Sequence, residues 1–264
     1  MRTWEVEQAR GIVIVVHGAG EHHGRYKWLI DQFQQQRFHV ISGDLPGFGR
    51  TRGKRGHVEH FDQYIDTVYS WYKEAEQFSL PIYLVGHSMG GLAVVQTALY
   101  KYMDITGIIL SSPCFGLYTN PNKAVAVTGK VLHRILPGFS VKSRITAESI
   151  TRDPSIRAEF IKDQYRVSTV TLRWYNELLR AIRESFEYAN QFPDIPLLVM
   201  QAGDDFVVDA HRTNEWFNAL WISDRSFKRF PELYHELFNE PEKHDVFEYM
   251  MTFIDARLSV SATI

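Results

Sequence analysis

The chain predicts an α/β fold: a mostly parallel central sheet flanked by helices on both faces, with an inserted helical cap. Three observations predict it. Strand-like and helix-like stretches alternate through residue 112 and again from 196, the rhythm of parallel strands joined by crossover helices. A long stretch, roughly 114–192, interrupts that rhythm without a convincing buried strand. Structureless loops of such length are uncommon, so helices are expected there, over the carboxyl edge of the sheet. Finally, Gly86-His87-Ser88-Met89-Gly90 follows a short apolar strand and runs into helix-compatible sequence. That is the strand–turn–helix context of a nucleophile elbow, in which glycines remove side chains that would collide across a sharp turn.

The elements follow in order. Strands are expected at 11–17, 38–43, 81–86 and 106–112, with helices near 25–36, 60–77 and 90–102. The first strand, Ile12 to Val16, is apolar throughout and ends in His17-Gly18-Ala19-Gly20, as a strand covered on both faces should read. Pro81 and the β-favouring run Ile82, Tyr83, Leu84, Val85 lead into the elbow, and Leu92 to Leu99 continue it as a helix. Within the interruption, Ala124–Leu136, Ala158–Tyr165 and Ser168–Ala189 have helical spacing. Strands resume at 195–201 and 226–230, with helices near 210–220 and 241–257. No compositional break marks a second domain, so one domain over 1–264 is expected, with the cap at about 114–192.

A serine on such an elbow needs a base, a carboxylate to orient that base, and amides aimed at a developing oxyanion. In elbow folds the chain order is serine, then acid, then histidine. Asp204 and Asp205 both follow the apolar strand Pro196–Ala202, and His235 follows the strand ending at Phe230. All these positions lie just past carboxyl ends of strands, where open α/β sheets assemble sites. Ala19, in the glycine-flanked turn after the first strand, and Met89, at the start of the elbow helix, are the expected oxyanion-hole amides.

Composition narrows the alternatives. With 264 residues, 45% hydrophobic and 14% aromatic, the chain can fill a sizeable core. A net charge of −2 gives no global attraction to nucleic acid. The one local basic cluster, Arg50-Arg52-Lys54-Arg55, is either a solvated loop or a contact for phosphate head groups or an anionic membrane. A single cysteine, Cys114, excludes an intrachain disulfide and a thiolate metal cluster and is expected to be a buried small hydrophobe. Met1 to Glu7 lacks a signal pattern and no run approaches the roughly 18 apolar residues of a span; a soluble, cytoplasmic protein is expected. No metal or cofactor is implied. The side chains of His22 and His23 should diverge, Asn239 stands where a zinc H-E-x-x-H motif starting at His235 needs its second histidine, and Gly47-Phe48-Gly49 lacks the third glycine of a dinucleotide loop.

Several segments together carry a family likeness. The run His17-Gly18-Ala19-Gly20-Glu21-His22-His23-Gly24-Arg25-Tyr26 is followed by Gly43-Asp44-Leu45-Pro46-Gly47-Phe48-Gly49 and by Gly86 to Gly91. Gln201-Ala202-Gly203-Asp204-Asp205 and Tyr234-His235-Glu236-Leu237-Phe238-Asn239-Glu240 complete it. In this order, over residues 10–250, the chain resembles the monoacylglycerol lipase and lysophospholipase group of α/β-hydrolases, serine aminopeptidase S33-like, and within it small bacterial phospholipases. The resemblance implies a serine carboxylester hydrolase acting on single-chain lipid esters through an acyl-enzyme intermediate. Its G-x-x-D-x-x-V pattern, with Ala202 in the first glycine's place and Val208 as its last member, points to Asp205 rather than Asp204 as the acid beside Ser88 and His235.

Substrate selection is expected in the cap. Phe115, Leu117, Val127, Val131, Leu132, Ile135, Leu136 and Phe139 are either channel lining for an acyl chain or helix core. Apolar exposure there would suit transient contact with a membrane or micelle surface, making the protein peripheral at the membrane. Glu21 and Arg25, one helical turn apart, are expected either to bind glycerol hydroxyls or to pair with each other. His87 is either packed beside the nucleophile or a donor to the leaving alcohol, and His17 supports the oxyanion turn. The competing readings are a phospholipase on diacyl phospholipids, an aminopeptidase of the same fold, and a non-catalytic binding protein on this scaffold.

Overall fold

The computed structural model describes residues 1–119 and 136–261. Its sheet has seven strands: β1 (Arg2–Trp4), β2 (Gly11–Val16), β3 (Phe38–Ser42), β4 (Ile82–His87), β5 (Gly107–Ser111), β8 (Leu197–Ala202) and β9 (Arg225–Phe230). Their spatial order is β1-β3-β2-β4-β5-β8-β9, and every pair is parallel except β1 with β3. The six expected strands are present within a residue or two of their expected ends. The antiparallel edge strand β1 was not expected, because three residues paired in register Arg2 with Ser42 are too short to carry a period of their own.

The interior strands are apolar without alternation because both faces are covered. Ile12, Ile14 and Val16 point into one core with Ile41, Leu84, Ile108 and Leu110, beneath α2 (Asp62–Glu76) and α3 (Met89–Tyr100). Val13 and Val15 point into the other with Val40, Tyr83, Val85 and Ile109. That second face is closed by α1 (Lys27–Gln35) and α8 (Lys243–Ser261), through residues such as Phe33, Val246 and Met250. Helix α3 is buried along nearly its whole length, which is why its sequence lacks a polar stripe.

Strand order fixes where a site can form. From β2 the chain crosses outward to β3 on one side and then returns to β4 on the other, so the crossovers diverge between the carboxyl ends of β2 and β4. That divergence opens the crevice where α/β sheets bind ligands.

Between β5 and β8 the chain leaves the sheet. Its described part contains β6 (Ser140–Lys142), α4 (Ala147–Ile150), α5 (Pro154–Lys162), β7 (Thr169–Thr171) and α6 (Leu172–Glu187); helix α7 (Ala210–Ala219) follows β8. Two helices of this segment differ in extent from expectation, for local reasons, and the last helix, α8, runs to Ser261 rather than 257. Helix α5 begins at Pro154 rather than 158, because Pro fits the first turn and the Asp153 carboxylate accepts from the Ser155 and Ile156 amides. It ends at Lys162 rather than 165, where Asp163 is extended and its carboxylate accepts from Tyr165 N–H. Helix α6 starts after Thr171, whose hydroxyl accepts from Trp174 N–H, while 169–171 pair antiparallel with 140–142. The helix expected over Ala124–Leu136 lies outside the described residues except for its last residue.

Candidate active site

Ser88 occupies the tip between β4 and α3 with φ 53° and ψ −121°, a backbone conformation open mainly to glycine. The turn is held on both sides: Ser88 N–H donates to Ser111 O at 3.0 Å, and Ser88 O accepts from Leu92 and Cys114 amides. Its glycines are required by close approach. A Cβ at Gly90 would lie 2.3 Å from Val16 O, and one at Gly86 would lie 2.7 Å from Gly91 Cα.

The structure brings Ser88, His235 and Asp205 into one line. His235 Nε2 lies 2.9 Å from Ser88 Oγ, and His235 Nδ1 lies 2.9 Å from Asp205 Oδ2. All three are buried, and Asp205 acts only as an acceptor: Val207 and Val208 amides donate to Oδ1, and Gln201 Nε2 donates to Oδ2 at 3.1 Å. With Nδ1–H donating to a carboxylate, the His235 Nε2 lone pair faces the serine hydroxyl, the tautomer a base needs. Burial opposes charge on His235, yet Asp205, with Glu236 and Glu21 behind it, raises its pKa above the ordinary histidine value. Asp204 does not join the line; its amide bonds Leu233 O in the turn.

The loop after β2 lies against the serine, since a Cβ at Gly18 would fall 3.1 Å from Ser88 Cβ. Ala19 is next in this loop, and Met89 occupies the first helical position of α3, where an amide has no intrahelical acceptor. His17 organises the loop: its Nδ1–H donates to Gly18 O at 2.8 Å and its Nε2 accepts from Leu45 N–H at 2.9 Å. Burial lowers its pKa, which keeps the ring neutral in that role.

Glu21 and Arg25 do not pair with each other, which corrects the ion pair offered as one of their two readings. The 3-10 turn His23–Tyr26 intervenes and sends them apart. Arg25 Nη2 donates to Glu236 Oε2 at 2.6 Å, beside His235, while Glu21 Oε2 accepts from Tyr26 O–H at 2.8 Å. His87 donates from Nδ1 to Ser111 O at 3.1 Å, its ring centroid 4.7 Å from that of His235. His87 Nε2 is then an acceptor 3.5 Å from Glu21 Oε1, and both it and Arg25 Nε are buried without a partner. Burial holds the His87 pKa down to about 4. Arg25, Tyr26, His87, Glu236 and Asn239 line a small hollow that opens to solvent.

The segment between β5 and β8 is sewn to the loops after β2 and β9 that border the Ser88–His235–Asp205 line. Val167 N–H donates to Gly20 O at 2.9 Å, and His22 Nε2–H donates to Asp163 Oδ2 at 2.9 Å. On the far side, Glu236 N–H donates to Ile150 O, Thr151 O–H to Asn239 O, and Arg152 to the buried Glu240 carboxylate at 2.5 Å. His22 and His23 do diverge, His23 turning to Asp44, whose carboxylate also accepts from Arg50 N–H. Among the described residues no group of three histidine, cysteine or acidic side chains could hold a metal ion.

Of the residues named as channel lining, Phe115 is core, stacked on Trp216 at 4.0 Å, and Leu117 bridges to Val208. Leu136 and Phe139 are half exposed; Val127, Val131, Leu132 and Ile135 lie outside the described residues. The basic residues are exposed, but three of them are engaged: Lys54 donates to Gly138 O at 2.6 Å, Arg55 to Tyr165 O at 2.7 Å, and Arg50 lies over the Tyr165 ring. Cys114 is buried, its thiol pushed up to about 12 by burial. No described helix is long and apolar enough to cross a membrane.

Sequence reasoning missed Gln201, Glu236 and Glu240 as members of this neighbourhood. Each stands inside a quoted segment, one, four or five residues from a candidate site residue, but a polar residue near a site carries no signal for the partner it will find.

A parallel sheet with a serine elbow after its central strand, and histidine and aspartate on the loops after the last two strands, defines the α/β-hydrolase class of enzymes. The chain belongs to the Hydrolase_4 family, described as serine aminopeptidase, S33, which matches residues 7–242. It is 42% identical over 256 residues to phospholipase YtpA of Bacillus subtilis, covering 97% of this chain and 99% of that one. It is 27% identical to the monoacylglycerol lipase of Mycolicibacterium smegmatis, covering 94% and 89%. Among solved structures, the monoacylglycerol lipase of Paleococcus ferrophilus superposes with a TM-score of 0.86 at 28% identity, covering 98% of this chain and 97% of that chain.

Proposed function

We propose that the protein is a serine carboxylester hydrolase acting on single-chain lipid esters, lysophospholipids or monoacylglycerols, with Ser88 as nucleophile, His235 as base and Asp205 as its orienter. The observation that carries the reading is the continuous buried hydrogen-bonded line from Ser88 Oγ through His235 to Asp205. The substrate class is supported by the relatives, a phospholipase at 42% identity and monoacylglycerol lipases at lower identity.

Ser88 attacks the ester carbonyl carbon while its proton passes to His235 Nε2, and the amides of Ala19 and Met89 receive the tetrahedral oxyanion. His235 returns the proton to the departing alcohol, leaving an acyl-serine. Water then repeats the sequence and frees the fatty acid. Beside the line, Glu21 Oε1 and His87 Nε2 offer acceptors and Arg25 Nε a donor, complementary to hydroxyls of a glycerol head group.

In this reading the chain is one α/β-hydrolase domain and residues 114–192 cap the site. Exposed Leu136 and Phe139, near Lys54 at Gly138, touch a micelle or membrane surface while the enzyme works from the cytoplasm. An aminopeptidase would need a carboxylate free for a substrate amine. Glu236 is held by Arg25 and Asn239, which weighs against that alternative.

The test compares wild type and Ser88→Ala on monoacylglycerol, lysophosphatidylcholine, a diacyl phospholipid and an aminoacyl anilide. Cleavage of a single-chain lipid, reduced by about three or more orders of magnitude in the variant, is expected. Retained turnover in Ser88→Ala, or cleavage of the anilide alone, overturns the reading.

A further inference from the structure

We propose that Gln201 is a positioning residue for the Asp205–His235 pair: its side-chain amide binds the carboxylate oxygen that receives His235 Nδ1–H and thereby sets the basicity of His235. The inference rests on the function proposed above and concerns a residue that the triad leaves unassigned.

Gln201 is fully buried in β8, four residues before Asp205. Its Nε2 lies 3.1 Å from Asp205 Oδ2 and 3.2 Å from its neighbour's carbonyl, Ala202 O. Both contacts are acceptors, so the NH2 group must face them; the flipped amide would set oxygen against oxygen. The other end of the amide is the informative one. Gln201 Oε1 is buried with no partner, an arrangement that costs stability and that an apolar residue of similar volume would avoid. What the glutamine supplies in exchange is one N–H on the carboxylate.

The two oxygens of Asp205 are treated differently. Oδ1 accepts from the Val207 and Val208 amides, contacts made by backbone whatever the side chains are. Oδ2 is shared by two side chains, His235 and Gln201. A second donor on Oδ2 draws off part of the charge that stabilises an imidazolium, so Gln201 holds Asp205 in place while moderating its pull on His235. The other groups facing this pair are the Cys114 thiol after β5, His87 at the end of β4, Glu21 in the loop after β2, and Glu236, which is paired with Arg25. None of these donates a hydrogen bond to Asp205; Gln201 does.

Gln201→Met removes the amide and keeps the volume. With active sites counted by fluorophosphonate labelling, its acid limb of kcat/KM is expected to move up by about 0.5–1 pH unit, with kcat reduced and KM little changed. A purely structural role would lower the count of folded sites and leave the limb where it was. In the wild type, the Gln201 side-chain amide resonances should shift with the same midpoint as His235, a measurement that needs no variant to fold. An unmoved limb in Gln201→Met, or Gln201 resonances blind to His235 titration, overturns the proposal. Turnover surviving in Ser88→Ala would overturn instead the triad on which it rests.

Discussion

Removing the carboxylate of Glu236 should destabilise the protein far more than removing both members of its ion pair. Arg25 and Glu236 are 8% and 5% exposed at their side chains and 2.6 Å apart. At an effective dielectric of about 20 their attraction is ~6 kcal/mol. Desolvating two ions costs several kcal/mol each, so the intact pair contributes little net stability. The asymmetry lies in the single change. Burial opposes charge on Arg25, but Glu236 and Glu21 hold its pKa above the ordinary arginine value, so the guanidinium remains charged when its partner goes. Its Nε has no partner to fall back on. Glu236→Gln, which keeps an oxygen for Asn239 Nδ2, should therefore cost about 3–5 kcal/mol. At about 2–4 °C per kcal/mol for chains approaching this size, Tm should fall by roughly 6–20 °C. The double variant Arg25→Met, Glu236→Gln should return to within about 1 kcal/mol of wild type. Urea unfolding followed by fluorescence and circular dichroism reads wild type, Glu236→Gln, Arg25→Met and the double variant. A Glu236→Gln protein within about 0.5 kcal/mol of wild type, or a double variant equal to the sum of the singles, would refute the reasoning.

Three further predictions come from the elbow and from two buried histidines. Ser88→Gly should abolish turnover yet stabilise the fold by about 1 kcal/mol, because glycine relieves a positive φ that serine holds under strain; calorimetry in which Ser88→Gly melts no higher than Ser88→Ala contradicts this. His87, whose pKa burial holds at about 4 against about 6.5 unfolded, makes the unfolded state the stronger proton binder between those values. About 3 kcal/mol of stability should be lost from this group as pH falls across that window, and His87→Asn should show a shallower pH slope in urea titrations. His235 has the opposite sign: its raised pKa adds stability that is full below about 6.5 and lost as pH rises through the folded value, while activity, which needs the neutral ring, gains across the same range.

The sheet was legible because its interior strands are uniformly apolar, and because elbow, acid and histidine each sit just after a strand. The family pattern separated Asp205 from Asp204, and the structure puts Asp205, not Asp204, against His235. What was not legible is pairing across long separations. Glu21 and Arg25 lie at helical spacing, and nothing local announces that a 3-10 turn sends Arg25 to a residue 211 positions away. Helix ends within the inserted segment were off where one capping side chain, Asp153 or Thr171, outweighed the apolar period. Edge strand β1 was invisible for the same reason that short strands generally are: its pairing comes from β3, not from its own composition.

The two seams that join the inserted segment to the loops after β2 and β9 bear on how such enzymes can be re-engineered. A graft that exchanges residues 114–192 for those of a relative would sever Val167 from Gly20 and Ile150 from Glu236 unless the new piece reproduced both backbone partnerships. It would also orphan the His22 ring and the buried Glu240 carboxylate, whose partners Asp163 and Arg152 leave with the old piece. Chimeras cut at 114 and 192 should thus lose turnover before they gain new selectivity. Crossover points drawn inside the seams, between 168 and 192, would carry less of that liability.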